Sequence, residues 1–335
     1  GDLIAVTAPS SGVSGPLLAR LDLVLGHLRS LGYGIVEGAC LRQQYKDASA
    51  PRDQRAFELM RFLTDPAVAA ILPPWGGVLA SELLESIDFQ ALRATEPKWL
   101  LGFSDLSTVQ LPLTLVSGWA TAHGPNLMEL APTQTDKLAA AALAILATDL
   151  QVPVRQESSR TFQKQYIDFA VQVDAPWNLT EPTVWKRLDG SMEPVEFRGR
   201  LIGGCLDTIA WLAGTKFGDI PAFVEQAGEC GTILYLENVN MAPPGLVRAL
   251  LALRRHRWFD NLSGLLIGRS TGPVPESPDS LSYTEALSAT LGDLRYPVLY
   301  DVDVGHQPPQ FTLINGAIGH VQYQAGSGSV TQVAP

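Results

Sequence analysis

Cysteine is scarce in this chain: Cys40, Cys205 and Cys230 are the only three in 335 residues. They are far apart and form no C-x-x-C pair, so they imply neither a disulfide framework nor a zinc site and read as buried thiols of a reducing compartment. Charged residues make up only 17%, and 24 Lys and Arg against 34 Asp and Glu leave a formal net charge of −10. A surface of that sign repels phosphate, which argues against nucleic acid and anionic membrane and for small-molecule or protein partners. No stretch reaches eighteen apolar residues, and the opening GDLIAVTAPSSG carries no basic leader, so the expected location is cytoplasmic. Internal repeats and low-complexity tracts are also lacking.

What is present is apolar content of 46%, enough for sizeable cores, in a length that predicts two domains. LIAVTAPSS, GPLLARLDLVLGHLRSLGY and GIVEG read as strand, helix and strand, the rhythm of a parallel α/β sheet. DQRAFELMRFLTDP and ASELLESIDFQAL read as further helices, AVAAILPPWGG and KWLLGFSD as buried strands. Residues 1–150 are thus expected to form an α/β domain ending with the helix TDKLAAAALAILATDL. Residues 151–195 change character: RTFQKQYIDFAVQV suggests exposed strand pairing, and a turn-rich stretch carries Trp177 and Trp185, as expected of an interdomain connection. Residues 196–335 supply short strands, among them GTILYLE, GLLIGR and YPVLYDVDV, and the helix PGLVRALLALRRHRWF.

Ser104 in GFSD lies between a strand and a helix, the placement of a nucleophile elbow, although the pattern is not G-x-S-x-G. A helix N-cap serine fits the same placement. A nucleophile needs a base. Of five histidines, His27 and His256 read as solvated helix faces, His123 lies in a turn, and His320 alternates within a strand. His306, after a strand and before two prolines, has the best local context for a base. Glu237, at the end of GTILYLE, is a candidate to orient it, with Asp301 and Asp303 as rivals.

GDLIAVTAPSS, WGG, GFSD, HGP, LIGGCLDTIAWLAGT, ILYLEN, GLLIGR and DVDVGHQPP occur in the order found in the serine carboxypeptidases of the LD-carboxypeptidase group, which includes the microcin C self-immunity peptidases. The chain resembles that family over nearly its whole length. The resemblance implies an amino-terminal parallel-sheet α/β domain, a carboxyl-terminal β-rich domain and an active site in the cleft between them. It implies Ser104 as nucleophile, His306 as general base, Glu237 as its orienting carboxylate, and the backbone N–H groups of Gly77 and Asp105 as oxyanion hole. It further implies a homodimer that needs no metal or other cofactor.

Two departures bear on the substrate: Cys205 stands where the family commonly has Asn, and VLASELL follows WGG. The substrate is expected to be either a murein tetrapeptide or a peptidyl or aminoacyl adenylate. The competing readings are a non-catalytic small-molecule binding protein and a generic α/β esterase. Trp177 and Trp185 either anchor the connection or, on the adenylate reading, offer an aromatic face for the base.

Overall fold

The computed structural model describes residues 1–149 and 151–334. Strands β1 (Leu3–Val6), β2 (Gly34–Glu37), β3 (Val68–Ile71), β4 (Trp99–Gly102) and β5 (Thr121–His123) lie side by side in the order β5-β4-β3-β1-β2, all parallel. Parallel neighbours need crossovers, and the helices between them supply these and cover the sheet. Helix Leu17–Ser30 buries Arg20, Leu21, Val24, Leu25 and Leu28, which recur every three to four positions on one face. Helix Lys137–Ala147 starts at Asp136, whose carboxylate accepts the N–H groups of Leu138 and Ala139, a cap that contributes about 1 kcal/mol.

The next strands are β6 (Val154–Glu157), β7 (Thr161–Phe162), β8 (Glu181–Pro182), β9 (Lys186–Arg187), β10 (Val195–Cys205), β11 (Thr232–Glu237), β12 (Gly264–Gly268) and β13 (Val298–Val302). The last three are β14 (Leu313–Asn315), β15 (Ile318–Gln324) and β16 (Ser327–Val333). An eight-stranded sheet runs β6-β16-β15-β10-β11-β12-β13-β9, parallel from β10 to β13 and antiparallel outside them. Central β11, TILYLE, is buried at every position, as a strand covered on both faces must be. The architecture is therefore a parallel-sheet α/β first half and a β-rich second half.

The halves are not independent. Strand β14, from the end of the chain, pairs antiparallel with β5 and completes the first sheet as its sixth strand. Its Asn315 accepts hydrogen bonds from the Gly203 N–H (3.0 Å) and the Tyr235 hydroxyl (2.7 Å) in the second sheet and donates to Thr121 (3.1 Å) in the first. One apolar cluster joins Leu100, Val109 and Leu113 to Ile202, Leu206 and Leu234, so the boundary between the sheets is itself core.

Three local expectations change. ASELLESIDFQAL is not one helix: a 3₁₀ turn, Ala80–Leu83, and a short helix, Phe89–Leu92, replace it, because the Asp88 carboxylate accepts the Ala91 N–H and caps a new start at Phe89. RTFQKQYIDFAVQV forms a strand only at Thr161–Phe162; beyond it the backbone is tied by the buried Arg20, which donates to the carbonyls of Val173 and Ala175. Segment 151–195 does more than connect, since β6 and β9 form the two edges of the larger sheet. Cys40 and Cys205 are buried as expected, whereas Cys230 is half-buried. Among the described residues no helix is long and apolar enough to cross a membrane.

Candidate active site

In open α/β sheets, ligands bind outside the carboxyl ends of the strands. Ser104 lies just beyond the end of β4, His123 ends β5, Glu237 ends β11, and His306 lies in the loop after β13. Two sheets thus aim their carboxyl edges at one place. Ser104 has φ +66°, a conformation costly for a residue with a Cβ, and the turn it makes presents its hydroxyl, half-buried, to the pocket. Gly102, at φ +152°, allows that turn: a Cβ there would lie 2.4 Å from Leu106 and 2.7 Å from the Asn126 Oδ1.

His306 Nε2 lies 2.9 Å from the Ser104 Oγ, and His306 Nδ1 lies 2.9 Å from the Glu237 Oε2. Residues 202 positions apart in sequence are thereby joined in one hydrogen-bonded line. Burial alone would push the fully buried Glu237 carboxyl up, but the charge and N–H of His306, with smaller contributions from His123 and the Cys205 thiol, hold it below the usual range. Burial likewise opposes a charged His306, yet Glu237 beside it raises the imidazole above its ordinary value. The ring is also packed edge-to-face on Phe103, with centroids 4.7 Å apart, which limits its rotation.

Of the two residues named from the sequence, Gly77 lines the pocket with Ser104 and Asp105 follows the serine in the chain. A Cβ on Gly76 would lie 2.8 Å from the Asp105 nitrogen and 3.0 Å from the Ser104 Oγ, so only glycine lets the WGG turn come this close. Gly77 follows at φ +150°, packed against the hydroxyls of Ser10 and Ser11. The buried Asp105 carboxylate accepts from Ser10 Oγ (2.6 Å) and the Ala80 N–H (2.8 Å), which locks the turn after WGG to the turn at Ser104.

The rival carboxylates are engaged elsewhere. Asp301 pairs with Lys186 at 2.8 Å. Asp303, fully buried, accepts from the Trp185 indole (2.8 Å), Ser159 and Arg269 (2.9 Å). Arg269 also donates to the carbonyls of Gln307 and Pro309 after His306, so that with its bond to Asp303 before it the guanidinium holds the His306 loop at both ends. Arg269→Lys is therefore expected to lower kcat about a hundredfold with a much smaller change in KM, the scale of a roughly 1 Å misplacement. Steady-state kinetics check this; a variant with wild-type kcat and a lowered melting temperature would show that the guanidinium serves stability alone.

The remaining histidines do not join the line. His123 is buried between Phe103 and Tyr235, and burial lowers its pKa to about 4. His320 faces Glu196 at 3.4 Å, and His27 and His256 lie near helix ends. Trp185 corrects an expectation: it is fully buried in the core, edge-to-face with Phe311 and bonded to Asp303, so no ligand can stack on it. Trp177 is also buried, and its indole acts on the Glu129 carboxylate.

A pocket of about 420 Å³ opens at Ser104 and His306. Its walls include Trp75 of the WGG motif together with Met128, Glu129, Tyr166 and Phe169, and those four did not stand out in the sequence. The one available signal was Tyr166, a large apolar residue in the polar run QKQYID, and it is 75% exposed. Segment 151–195 does supply aromatic walls, but through Tyr166 and Phe169 rather than its tryptophans.

Residues 4–124 match the LD-carboxypeptidase N-terminal domain and residues 198–321 match the LD-carboxypeptidase C-terminal domain. The chain belongs to the LD-carboxypeptidase family. Among similar LD-carboxypeptidase relatives are the murein tetrapeptide carboxypeptidase of Pseudomonas aeruginosa, 26% identical over 90% of this chain and 87% of that protein, and the microcin C7 self-immunity protein MccF of Escherichia coli, 23% identical over 99% and 94%. The fold is also that of the solved structure of MccF in complex with glutamyl sulfamoyl guanosine: TM-score 0.82, 21% identity, with 99% of this chain and 96% of that one covered.

Proposed function

We propose that this protein is a serine carboxypeptidase that hydrolyses an amide bond near a free carboxyl end through Ser104, His306 and Glu237. The observation that carries the proposal is the line of two 2.9 Å hydrogen bonds from Ser104 through His306 to Glu237. In this mechanism His306 Nε2 takes the Ser104 hydroxyl proton as Oγ attacks the carbonyl carbon. Glu237 keeps the Nδ1–H tautomer and stabilises the imidazolium that forms. The N–H groups of Gly77 and Asp105 receive the developing oxyanion, each contributing about 3–4 kcal/mol to its stabilisation. Protonated His306 then gives its proton to the leaving nitrogen. The acyl-enzyme is released by water, which His306 deprotonates in turn.

Two substrate classes fit this chemistry: the bond before the carboxyl-terminal residue of a murein tetrapeptide, and the acyl link of a peptidyl or aminoacyl adenylate. The aromatic walls favour the second, because the exposed Tyr166 ring, backed by Phe169, offers a face to a planar base and a tetrapeptide has none. Each stacked base gains about 1–3 kcal/mol. Expected from this is that Ser104→Ala protein binds an aminoacyl sulfamoyl adenosine and that Tyr166→Ala weakens binding at least tenfold without lowering the melting temperature. Calorimetric titration measures both. Failure of the nucleotide analogue to bind at millimolar concentration, with cleavage of the tetrapeptide by the unmutated protein, would assign the murein peptide instead. The family's homodimer is carried over as part of this proposal and is checked by sedimentation.

A further inference from the structure

The pocket beside Ser104 carries a carboxylate that the proposed mechanism does not use. Glu129 lines it with Ser104 and His306, and among the described residues no Lys or Arg does so. One carboxylate oxygen, Oε2, accepts the Asn126 N–H at 2.9 Å in a capping box. That local duty needs a single acceptor and would be met equally by glutamine, which occurs at the same position of capping boxes. It does not account for a charge placed in a small cavity.

The charged groups around Glu129 leave that charge largely unanswered. Arg20, on the helix behind, gives its Nε and Nη1 to the carbonyls of Met128, Val173 and Ala175 and stacks on Phe169 at 4.0 Å, and its remaining Nη2 makes no hydrogen bond to Glu129. His306 faces it across the pocket but is hydrogen-bonded to Glu237. Asp174 and Tyr166 lie near Arg20 and draw on the same cation. With these neighbours in place, burial still pushes the Glu129 carboxyl up to about 7, despite the Asn126 N–H, His306, Arg20 and the Trp177 indole, which act the other way. A carboxylate in that state gains from an incoming cation and is poorly matched to a second carboxylate.

Building on the hydrolase reading, we propose that Glu129 selects substrates with a primary ammonium group on the acyl residue beside the scissile carbonyl. The volume of about 420 Å³ is that of a site for one small ligand, so the group bound at Glu129 and the group attacked by Ser104 belong to the same molecule. A free carboxyl end of the substrate then lies away from Glu129, toward the neutral donor Ser11 or outside the pocket. The aminoacyl adenylate and a murein tetrapeptide with a diamino acid before the scissile bond carry such an amine, and the site discriminates against acylated forms, peptidyl adenylates included.

The test uses L-alanyl sulfamoyl adenosine and its N-acetyl derivative, titrated into Ser104→Ala protein with and without Glu129→Gln at pH 7.5 and pH 5.5. The glutamine keeps the capping acceptor and removes the charge. Expected is at least tenfold tighter binding of the free amine at pH 7.5, an advantage lost on Glu129→Gln and reduced at pH 5.5, where Glu129 is protonated. A pH effect shared by both compounds that survives Glu129→Gln comes from neither Glu129 nor the amine. Equal affinity for the two compounds, retention of the preference by Glu129→Gln, or no binding of either at millimolar concentration overturns the proposal. Hydrolysis by the unmutated protein is followed separately. Turnover without amine preference removes the role of Glu129 alone, whereas amine preference without turnover of any amide removes the hydrolase reading alone.

Discussion

Ser104→Ala is expected to reduce turnover on the order of a million-fold, the scale seen when a serine nucleophile is removed from a hydrolase triad. The protein should fold normally, because the hydroxyl points into the pocket rather than into either core. Ser104→Gly sharpens the experiment: it removes the same hydroxyl and also relieves the φ of +66°. Such strain costs about 1–3 kcal/mol, so the glycine variant is expected to melt no lower than the wild type while being equally inactive. A glycine variant that melts well below the alanine one would mean that the turn is not strained. Residual turnover within tenfold of wild type in either variant would reduce Ser104 to a structural role.

The second large effect concerns His306 and Glu237. His306→Ala and Glu237→Gln are each expected to lower kcat by about ten-thousand-fold or more, and the double variant should lose little beyond the worse single one, since residues of one relay act as a unit. Multiplying losses would point to separate roles. The acid limb of the pH profile gives an independent readout. His306 acts as a base only when neutral, so activity rises as pH passes its pKa, which Glu237 holds above the ordinary value of 6.5. Removing the Glu237 charge lowers that pKa, so the residual activity of Glu237→Gln should begin to rise at lower pH than in the wild type. Stability follows the opposite partner in acid. The depressed Glu237 carboxyl contributes stability that is full above its unfolded value and lost as pH falls through the folded one.

The elements that carried strong periodicity were legible without coordinates. Helix Leu17–Ser30 follows from its apolar spacing, and β11 from an uninterrupted apolar run. Ser104, His306 and Glu237 were found through motif order; local context alone left Asp301 and Asp303 open, because proximity in sequence says nothing about which carboxylate reaches Nδ1. What escaped was set by distant contacts. The end of the segment 163–175 is fixed by Arg20, which takes the carbonyls of Val173 and Ala175 from far along the chain, and nothing in RTFQKQYIDFAVQV indicates that donor. Trp185 is buried because Asp303 supplies an acceptor for its indole. Glu129 carries no signal in the sequence, and it gains a place at the pocket only because the fold brings Phe169 and Tyr166 to the same walls.

Strand β14 has a consequence for biosynthesis. Domains ordinarily fold as units while the chain emerges from the ribosome, the amino-terminal one first. Here the first sheet waits for Leu313–Asn315 to pair with β5, and Asn315 then fastens Gly203 and Tyr235 at the same moment. The nascent first half therefore exposes an open edge at β5 until translation has passed nearly the whole sequence, and the serine elbow stays without its imidazole over the same interval. On the proposed mechanism, a chain assembled this way joins Ser104 to His306 and receives the last strand of its first sheet only late, so a product truncated before His306 lacks the proposed base.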